Sequence, residues 1–374
     1  MKRTVCFLLA FSLFLLPVKA IEASELTSPS AVLIEKSTGR VLFEKDPHTR
    51  LPPASVTKVM TLLLVMEALE DGKLKLDDKI SVSEHAASMG GSQVFLSPGE
   101  EMSVNDLLKA TIIASGNDSA TALAEAISGS ESDFVALMNA RAKELGMNDT
   151  TFANCTGLDA EGHLTSAHDI AIMSRELIRH DKIKEYSTTW MDSLRNGAFT
   201  LANTNKLIRS YQGITGLKTG STGNAKYCLS ATAERNGMEL IAAIMAAPSS
   251  KERFADATKL LNYGFANYTL YDAGSDTELP TIPVVLGKSD SVSLRLSEPA
   301  SILTEKTKTS AITKKLELSD SVKAPVEEGQ TLGKLEILSE DKIVKTIQII
   351  ASNAVEKLSF PDIFKKIVTF VFMK

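Results

Sequence analysis

The chain has few cysteines, no recognisable metal-binding pattern, no excess of positive charge and no apolar run long enough to cross a bilayer. Each absence removes a class of protein. Of the three cysteines in 374 residues, Cys6 lies in an apolar N-terminal run, without the small residues that precede a lipidated cysteine. The other two, Cys155 and Cys228, do not define a disulfide framework and either pair or stay buried as thiols. Five histidines with no CxxC or HExxH argue against a metal-dependent peptidase, and neither metal nor organic cofactor is expected. A formal net charge of -5 gives no reason to expect a nucleic-acid partner. There is no repeat of fixed period and no low-complexity stretch.

What is present begins with a leader. Lys2 and Arg3 precede the apolar run Val5 to Leu16, and small residues follow at Ala20 and Ala23, the layout of a secretory signal over 1–23. The run falls short of the ~20 apolar residues a spanning helix needs, which disfavours an uncleaved anchor. With 44% hydrophobic and 23% charged residues, the remainder is ordinary globular sequence, long enough for two domains.

Ala31–Glu35 and Arg40–Glu44, joined by Lys36-Ser37-Thr38-Gly39, read as a β-hairpin. Helical spacing then takes over at Val56–Leu69, with Pro52-Pro53 before it and Asp71-Gly72 after it, and continues at Ser103–Ile113, Asp118–Ile127, Glu131–Leu145 and Ala167–Arg179. Strand character returns at Gly216–Ser221, Lys226–Glu234 and Met238–Ala246, with Asn236-Gly237 as a tight turn. A helix over Lys251–Tyr263 follows. This is one sheet interrupted by a helical insertion, placed at 24–275. Beyond Pro280, alternating segments at Ser291–Leu296, Lys334–Ile337 and Lys345–Ile349 predict a small all-β domain over 280–355.

The last segment, 356–374, is apolar on a wide helical arc (Phe360, Ile363, Phe364, Ile367, Phe370, Val371) and polar on a narrow one (Asp362, Lys366, Thr369), with Ser359 and Asp362 as a capping pair. Such a helix lies in a membrane interface or docks on the β domain, and periodicity does not separate the two.

Three short elements carry chemistry. Ser55-Val56-Thr57-Lys58 puts a hydroxyl and an amine on one face at a helix start, where a desolvated lysine can serve as base and free backbone N–H groups can hold an oxyanion. Taken alone the pattern is weak, and Ser339-Glu340-Asp341-Lys342 repeats it in a predicted β turn. Ser115-Gly116-Asn117 falls in a break between two predicted helices, the place to project polar groups into a cleft. A second Ser-x-Asn at Ser103-Val104-Asn105 looks instead like a helix cap. Lys218-Thr219-Gly220 closes a strand, where glycine permits close approach of a peptide adding along the edge and the cation can meet its carboxylate. The joint set, in this order, resembles that of penicillin-binding proteins and class A β-lactamases, with Gly116 where that set has aspartate between serine and asparagine.

With Gly90-Gly91-Ser92-Gln93, Ser115-Gly116-Asn117-Asp118, Thr156-Gly157-Leu158-Asp159 and Lys259–Phe265 added, the chain resembles the D-alanyl-D-alanine carboxypeptidases of peptidase family S11, the low-molecular-mass penicillin-binding proteins. The resemblance covers nearly the whole length. It implies an α+β fold: a β-lactamase/transpeptidase-like domain with a five-stranded antiparallel sheet and helical insertion, then a small all-β domain. It implies that Ser55 attacks the bond between two terminal D-alanines of a peptidoglycan pentapeptide stem, with Lys58 taking its proton. Ser115 and Asn117 relay protons and hold the substrate, Lys218 and Thr219 bind its carboxylate, and Arg253 resembles a family arginine with the same task. Backbone N–H groups of Ser55 and Ser221, next to Gly220, form the oxyanion hole. Relatives often carry histidine where this chain has Ser221, which bears on deacylation. β-Lactams are then acylating inhibitors, and the protein is exported to the outer face of the cytoplasmic membrane, held there by its tail.

Two other readings compete. A class A β-lactamase needs a carboxylate for deacylation, and Glu144-Leu145-Gly146-Met147-Asn148 superficially offers one, although Glu144 reads as a solvated helix end. A catalytically silent wall-binding protein would have little use for the intact Ser55, Lys58, Ser115, Asn117 and Lys218.

Overall fold

A computed structural model describes residues 21–372. The expected leader, up to Ala20, and Cys6 lie outside the described residues. Two compact units are present, one running to Glu234 and from Glu239 to Gly264, the other taking Arg235–Met238 and the chain from Phe265 onward.

The first unit is built on an antiparallel sheet of β1 (Ser30–Glu35), β2 (Val41–Lys45), β3 (Ile214–Thr222), β4 (Lys226–Arg235) and β5 (Met238–Ala247), in the order β2-β1-β5-β4-β3. Strand β1 is buried at every position, which is why Ala31-Val32-Leu33-Ile34 reads as a continuous apolar run and not as an alternation. Its turn to β2 is fixed by Gly39 at φ 69° and by the buried Glu35 carboxylate, which accepts from the Ser37 and Thr38 N–H groups at 2.8 Å each.

Between β2 and β3 the chain forms α1 (Lys58–Glu70), α2 (Val104–Ile113), α3 (Asn117–Ser128), α4 (Glu131–Glu144) and α5 (Ala167–Leu177). Helix α6 (Ser250–Asn267) follows β5. Serine hydroxyls start three of these helices: Ser103 accepts from Asp106 N at 3.0 Å, Ser130 from Asp133 N at 3.1 Å and Ser166 from Asp169 N at 3.2 Å, each contributing about 1 kcal/mol. Ser103 is thus the cap that its sequence context suggested. Helix α1 is apolar on all sides, and Leu62, Leu63, Val65 and Met66 are all buried. A helix of that kind belongs in the middle of a unit, so whatever polar group its first turn carries goes in with it.

The predicted start of α1 needs correction. Ala54–Thr57 is a separate 3₁₀ turn and the α-helix begins only at Lys58. Ala54 takes φ 49°, a left-handed conformation that no local pattern announces for alanine.

The second unit holds a four-stranded antiparallel sheet in the order Leu294–Leu296, Lys342–Ala351, Thr331–Ser339 and Ile312–Leu318, with smaller two- and three-stranded sheets beside it. Ser291–Leu296, expected as one strand, is two. Ser291–Val292 pairs with Ile282–Pro283, whereas Leu294–Leu296 pairs with Ile349–Ala351. Alternation runs unbroken through the change of sheet at Ser293, so periodicity could not disclose it. Ser339-Glu340-Asp341-Lys342 forms the turn between two strands, with positive φ at Glu340 and Asp341, and offers no helical Ser–Lys pair.

The chain continues into a helix of 13 residues, Phe360–Phe372, started by reciprocal bonds. Ser359 N donates to Asp362 Oδ2 at 2.9 Å and Asp362 N to Ser359 Oγ at 3.4 Å. Phe360, Phe364 and Ile367 are exposed. Among the described residues no helix is long and apolar enough to cross a membrane.

Candidate active site

Ser55 sits on the 3₁₀ turn, half-buried, with the turn clamped between two glycines. A Cβ at Gly157 would lie 1.9 Å from the Ala54 carbonyl oxygen and 2.9 Å from Ser55 N, and one at Gly220 would lie 2.8 Å from Ser55 N and 2.9 Å from Val56 N. No real Cβ tolerates such distances. The two glycines therefore let the loop after α4 and the edge strand β3 press on the backbone of the turn that carries Ser55.

Lys58, the first residue of α1, is fully buried. Its Nζ lies 3.1 Å from Ser55 Oγ, 2.5 Å from Asn117 Oδ1 and 2.8 Å from the Thr156 carbonyl oxygen. Burial lowers its pKa to about 7, opposed only by weaker attraction from Cys155 and Asp118. The neutral amine has two N–H donors and one lone pair. Asn117 Oδ1 and Thr156 O take the two donors, which leaves the lone pair for the Ser55 hydroxyl. This is the arrangement a general base requires.

Ser115 and Gly116 lie in the break between α2 and α3, and Asn117 opens α3. Ser115 adopts φ 64°. Asn117 is pinned by its own N–H to Ser92 O at 2.7 Å and by Nδ2 to Gly90 O at 2.6 Å, so its Oδ1 faces Lys58. Ser115 Oγ accepts from Lys218 Nζ at 2.8 Å. Lys218 is almost completely buried, and its pKa falls well below the ordinary value because of desolvation first, then repulsion from Lys58 and Arg253. The Thr219 hydroxyl donates to Thr204 Oγ1 at 2.7 Å. The three motifs, distant in sequence, thus converge through Lys58–Asn117, Lys218–Ser115 and the Gly220 contact with Ser55.

Arg253, on α6, is 7% exposed. Its Nη1 donates to the carbonyls of Gly220 at 3.0 Å and Cys228 at 3.2 Å, and the guanidinium lies against the rings of Tyr227 and Phe254. It is therefore attached to the strand end that carries Gly220. Glu144 stands at the end of α4, paired with Arg141 at 3.1 Å and with a 65% exposed side chain, which makes it the helix-end carboxylate expected. Cys155 and Cys228 are both buried and free, so they do not pair; burial raises both thiol pKa values.

Sequence reasoning missed the acceptors that are main-chain carbonyls: Thr156 O, Gly90 O and Ser92 O. It also missed His163, which is buried and accepts from Ala153 N at Nδ1, 2.9 Å, and so carries its proton on Nε2 toward Thr57 Oγ1, 2.7 Å. Desolvation lowers its pKa to about 4, so this support of the Ser55 turn stays neutral.

Residues 17–249 match the profile of the D-alanyl-D-alanine carboxypeptidase family, Peptidase S11, and residues 265–357 that of the C-terminal domain of penicillin-binding protein 5. The D-alanyl-D-alanine carboxypeptidase DacF of Bacillus subtilis (strain 168) is 46% identical over 342 residues, 90% of this chain and 88% of that protein. The crystal structure of penicillin-binding protein 5 from Haemophilus influenzae superposes with a TM-score of 0.74 at 31% identity, covering 90% of this chain and all of that one. Penicillin-binding protein D2 from Listeria monocytogenes, solved in its ampicillin-bound form, superposes with a TM-score of 0.59 at 34% identity over 64% of this chain and 98% of that one.

Proposed function

Because the chain belongs to the Peptidase S11 family and is a serine-type D-alanyl-D-alanine carboxypeptidase that works through a serine acyl-enzyme, we propose that Ser55 is the acylated serine and Lys58 its base. The observation that carries this is the pairing of Lys58 Nζ with Ser55 Oγ at 3.1 Å while two carbonyl-type acceptors occupy its N–H donors. In this reading Ser55 attacks the carbonyl between the two terminal D-alanines of a stem pentapeptide and its proton passes to Lys58. The C–N bond breaks, D-alanine leaves with a proton from the Lys58–Ser115 side of the cleft, and water hydrolyses the ester.

Ser115 relays the proton and Asn117 holds the substrate amide. Lys218, held against Ser115, supplies positive potential for the substrate carboxylate, together with Thr219 and the edge of β3 beyond Gly220. The N–H groups of Ser55 and Ser221 receive the oxyanion. Arg253 orders the strand end and adds positive potential there. β-Lactams acylate the same serine. Digestion of penicillin-treated protein and mass spectrometry should find the adduct on the peptide containing Ser55, and untreated protein should release D-alanine from a pentapeptide. An adduct on any other serine overturns the assignment.

The exposed apolar face of the terminal helix supports a location at the membrane surface. An exported protein whose last described helix exposes Phe360, Phe364 and Ile367 can bury them in the outer face of the cytoplasmic membrane, facing wall or periplasm. Deleting 359–374 should abolish co-sedimentation with anionic phospholipid vesicles and leave D-alanine release from a soluble peptide unchanged. Undiminished vesicle binding rules the helix out as the anchor.

A further inference from the structure

Residues 90–96 form the wall beside Asn117, and this wall is gripped from two sides. One grip comes from the motif itself. Asn117 bonds to the carbonyls of Gly90 and Ser92, and the fully buried Asp118 carboxylate accepts from Val94 N at 3.0 Å and Leu96 N at 3.1 Å. The other grip is Arg195, far along the chain, in the turn between the short strands Met191–Leu194 and Phe199–Ala202. Its Nη1 donates to Val94 O at 3.0 Å and its Nη2 to Phe95 O at 3.1 Å. Glu100 fixes the guanidinium through Nε at 2.7 Å and Nη2 at 3.0 Å.

The gripped segment is not relaxed. Phe95 takes φ 57° and its side chain is 69% exposed, so it contributes little to the core while occupying a region that disfavours bulky residues. Two carbonyls and two N–H groups of one short loop are each held by a charged side chain, an investment that core packing does not require.

We propose that Arg195 is a positioning residue for the acylation step: by fixing the 90–96 wall it holds the carbonyls of Gly90 and Ser92, and through them the orientation of the Asn117 amide against Lys58. The proposal rests on the roles given above to Ser55 and Lys58. The physical link is the asymmetry of the amide. Nδ2 must find Gly90 O for Oδ1 to face Lys58 Nζ, and a slack wall removes that requirement. Lys58 then loses an acceptor that favours its protonated form, so its proton affinity falls further. The titratable groups that face Lys58 are Asp118, Cys155 and Lys218; Arg195 itself attracts Asp118, and Arg195→Lys keeps that positive charge while giving up the fork that holds the wall.

The test compares Arg195→Lys and Arg195→Ala with the unsubstituted chain, measuring the second-order rate of acylation by a fluorescent penicillin across roughly pH 5 to 10, alongside melting temperature. Lysine keeps an ion pair with Glu100 but cannot hold both carbonyls and both carboxylate oxygens. Arg195→Lys should acylate roughly 100-fold more slowly, with the acid limb of its profile moved to lower pH and its melting temperature close to that of the parent. Arg195→Ala should behave likewise; should it fail to fold, Arg195→Lys alone decides. A rate within about twofold of the parent overturns the proposal, as does a loss that tracks a lowered melting temperature and leaves the acid limb in place. Absence of any Ser55 adduct in the unsubstituted chain marks failure of the catalytic assignment instead.

Discussion

Lys58→Ala should slow acylation of Ser55 by about 10⁴-fold or more, the scale on which loss of the base in a nucleophile–base unit registers. The substitution removes the lone pair aimed at Ser55 Oγ, and no other described base stands within hydrogen-bond distance of that hydroxyl. Stability should move much less, because two effects oppose each other. Asn117 Oδ1 and the Thr156 carbonyl lose a buried donor, at a cost of about 1–3 kcal/mol each, while the desolvated amine is no longer buried. The parent protein gives the matching pH dependence. With the Lys58 pKa lowered to about 7 by burial, the amine is the competent base only when unprotonated, so acylation should rise as pH increases through about 7 and level off above it. Stopped-flow acylation by a fluorescent penicillin checks both statements. A flat profile in the parent, or a Lys58→Ala rate within about tenfold of it, removes lysine from the role of base.

Gly157→Ala should lower the acylation rate by at least about 100-fold without touching any group that does chemistry. The glycine holds φ 87°, and the added methyl group would meet the Ala54 carbonyl oxygen at 1.9 Å. A backbone atom cannot swing aside as a side chain can, so the nucleophile turn must shift, and a displacement of about 1 Å in a reacting group costs on that order. The strain also weakens the fold by about 2–4 kcal/mol, visible as a lower melting temperature. Gly146, also at positive φ but with no atom within 4 Å of its Cβ position, provides the contrast: Gly146→Ala carries the conformational cost alone and should keep its acylation rate. Equal rate losses in both variants would show that crowding of the turn is not the cause.

The legible parts of the site were those written as side chains at fixed spacing. Ser55, Lys58, Ser115, Asn117 and Lys218 each announced a chemistry, and the structure brings them together. The buried α1 could also be read, because apolar residues on all sides leave a helix nowhere to go but inward. What escaped was main-chain conformation. The 3₁₀ turn at Ala54–Thr57 depends on a left-handed alanine, and the carbonyls of Gly90, Ser92 and Thr156 act through groups that every residue possesses. Arg195 and Glu100 escaped for another reason: an arginine in a turn and a glutamate before a strand are the ordinary furniture of a surface, and only folding shows them closing on the same loop. In the second unit, Ser291–Leu296 kept its alternation while passing from one sheet to another, a change that a period of two does not register.

Lys58 and Lys218 are buried in one cleft, and among the described residues neither makes an ion pair with a carboxylate. Desolvation therefore lowers the proton affinity of both amines relative to the same groups in water. An anionic guest reverses this: its charge raises the proton affinity of both groups, so that uptake of hydrogen ions accompanies its arrival and their release accompanies its departure. Occupancy of this cleft and the acidity of its surroundings are in consequence thermodynamically linked, and alkaline conditions that favour the base weaken the hold on the anion.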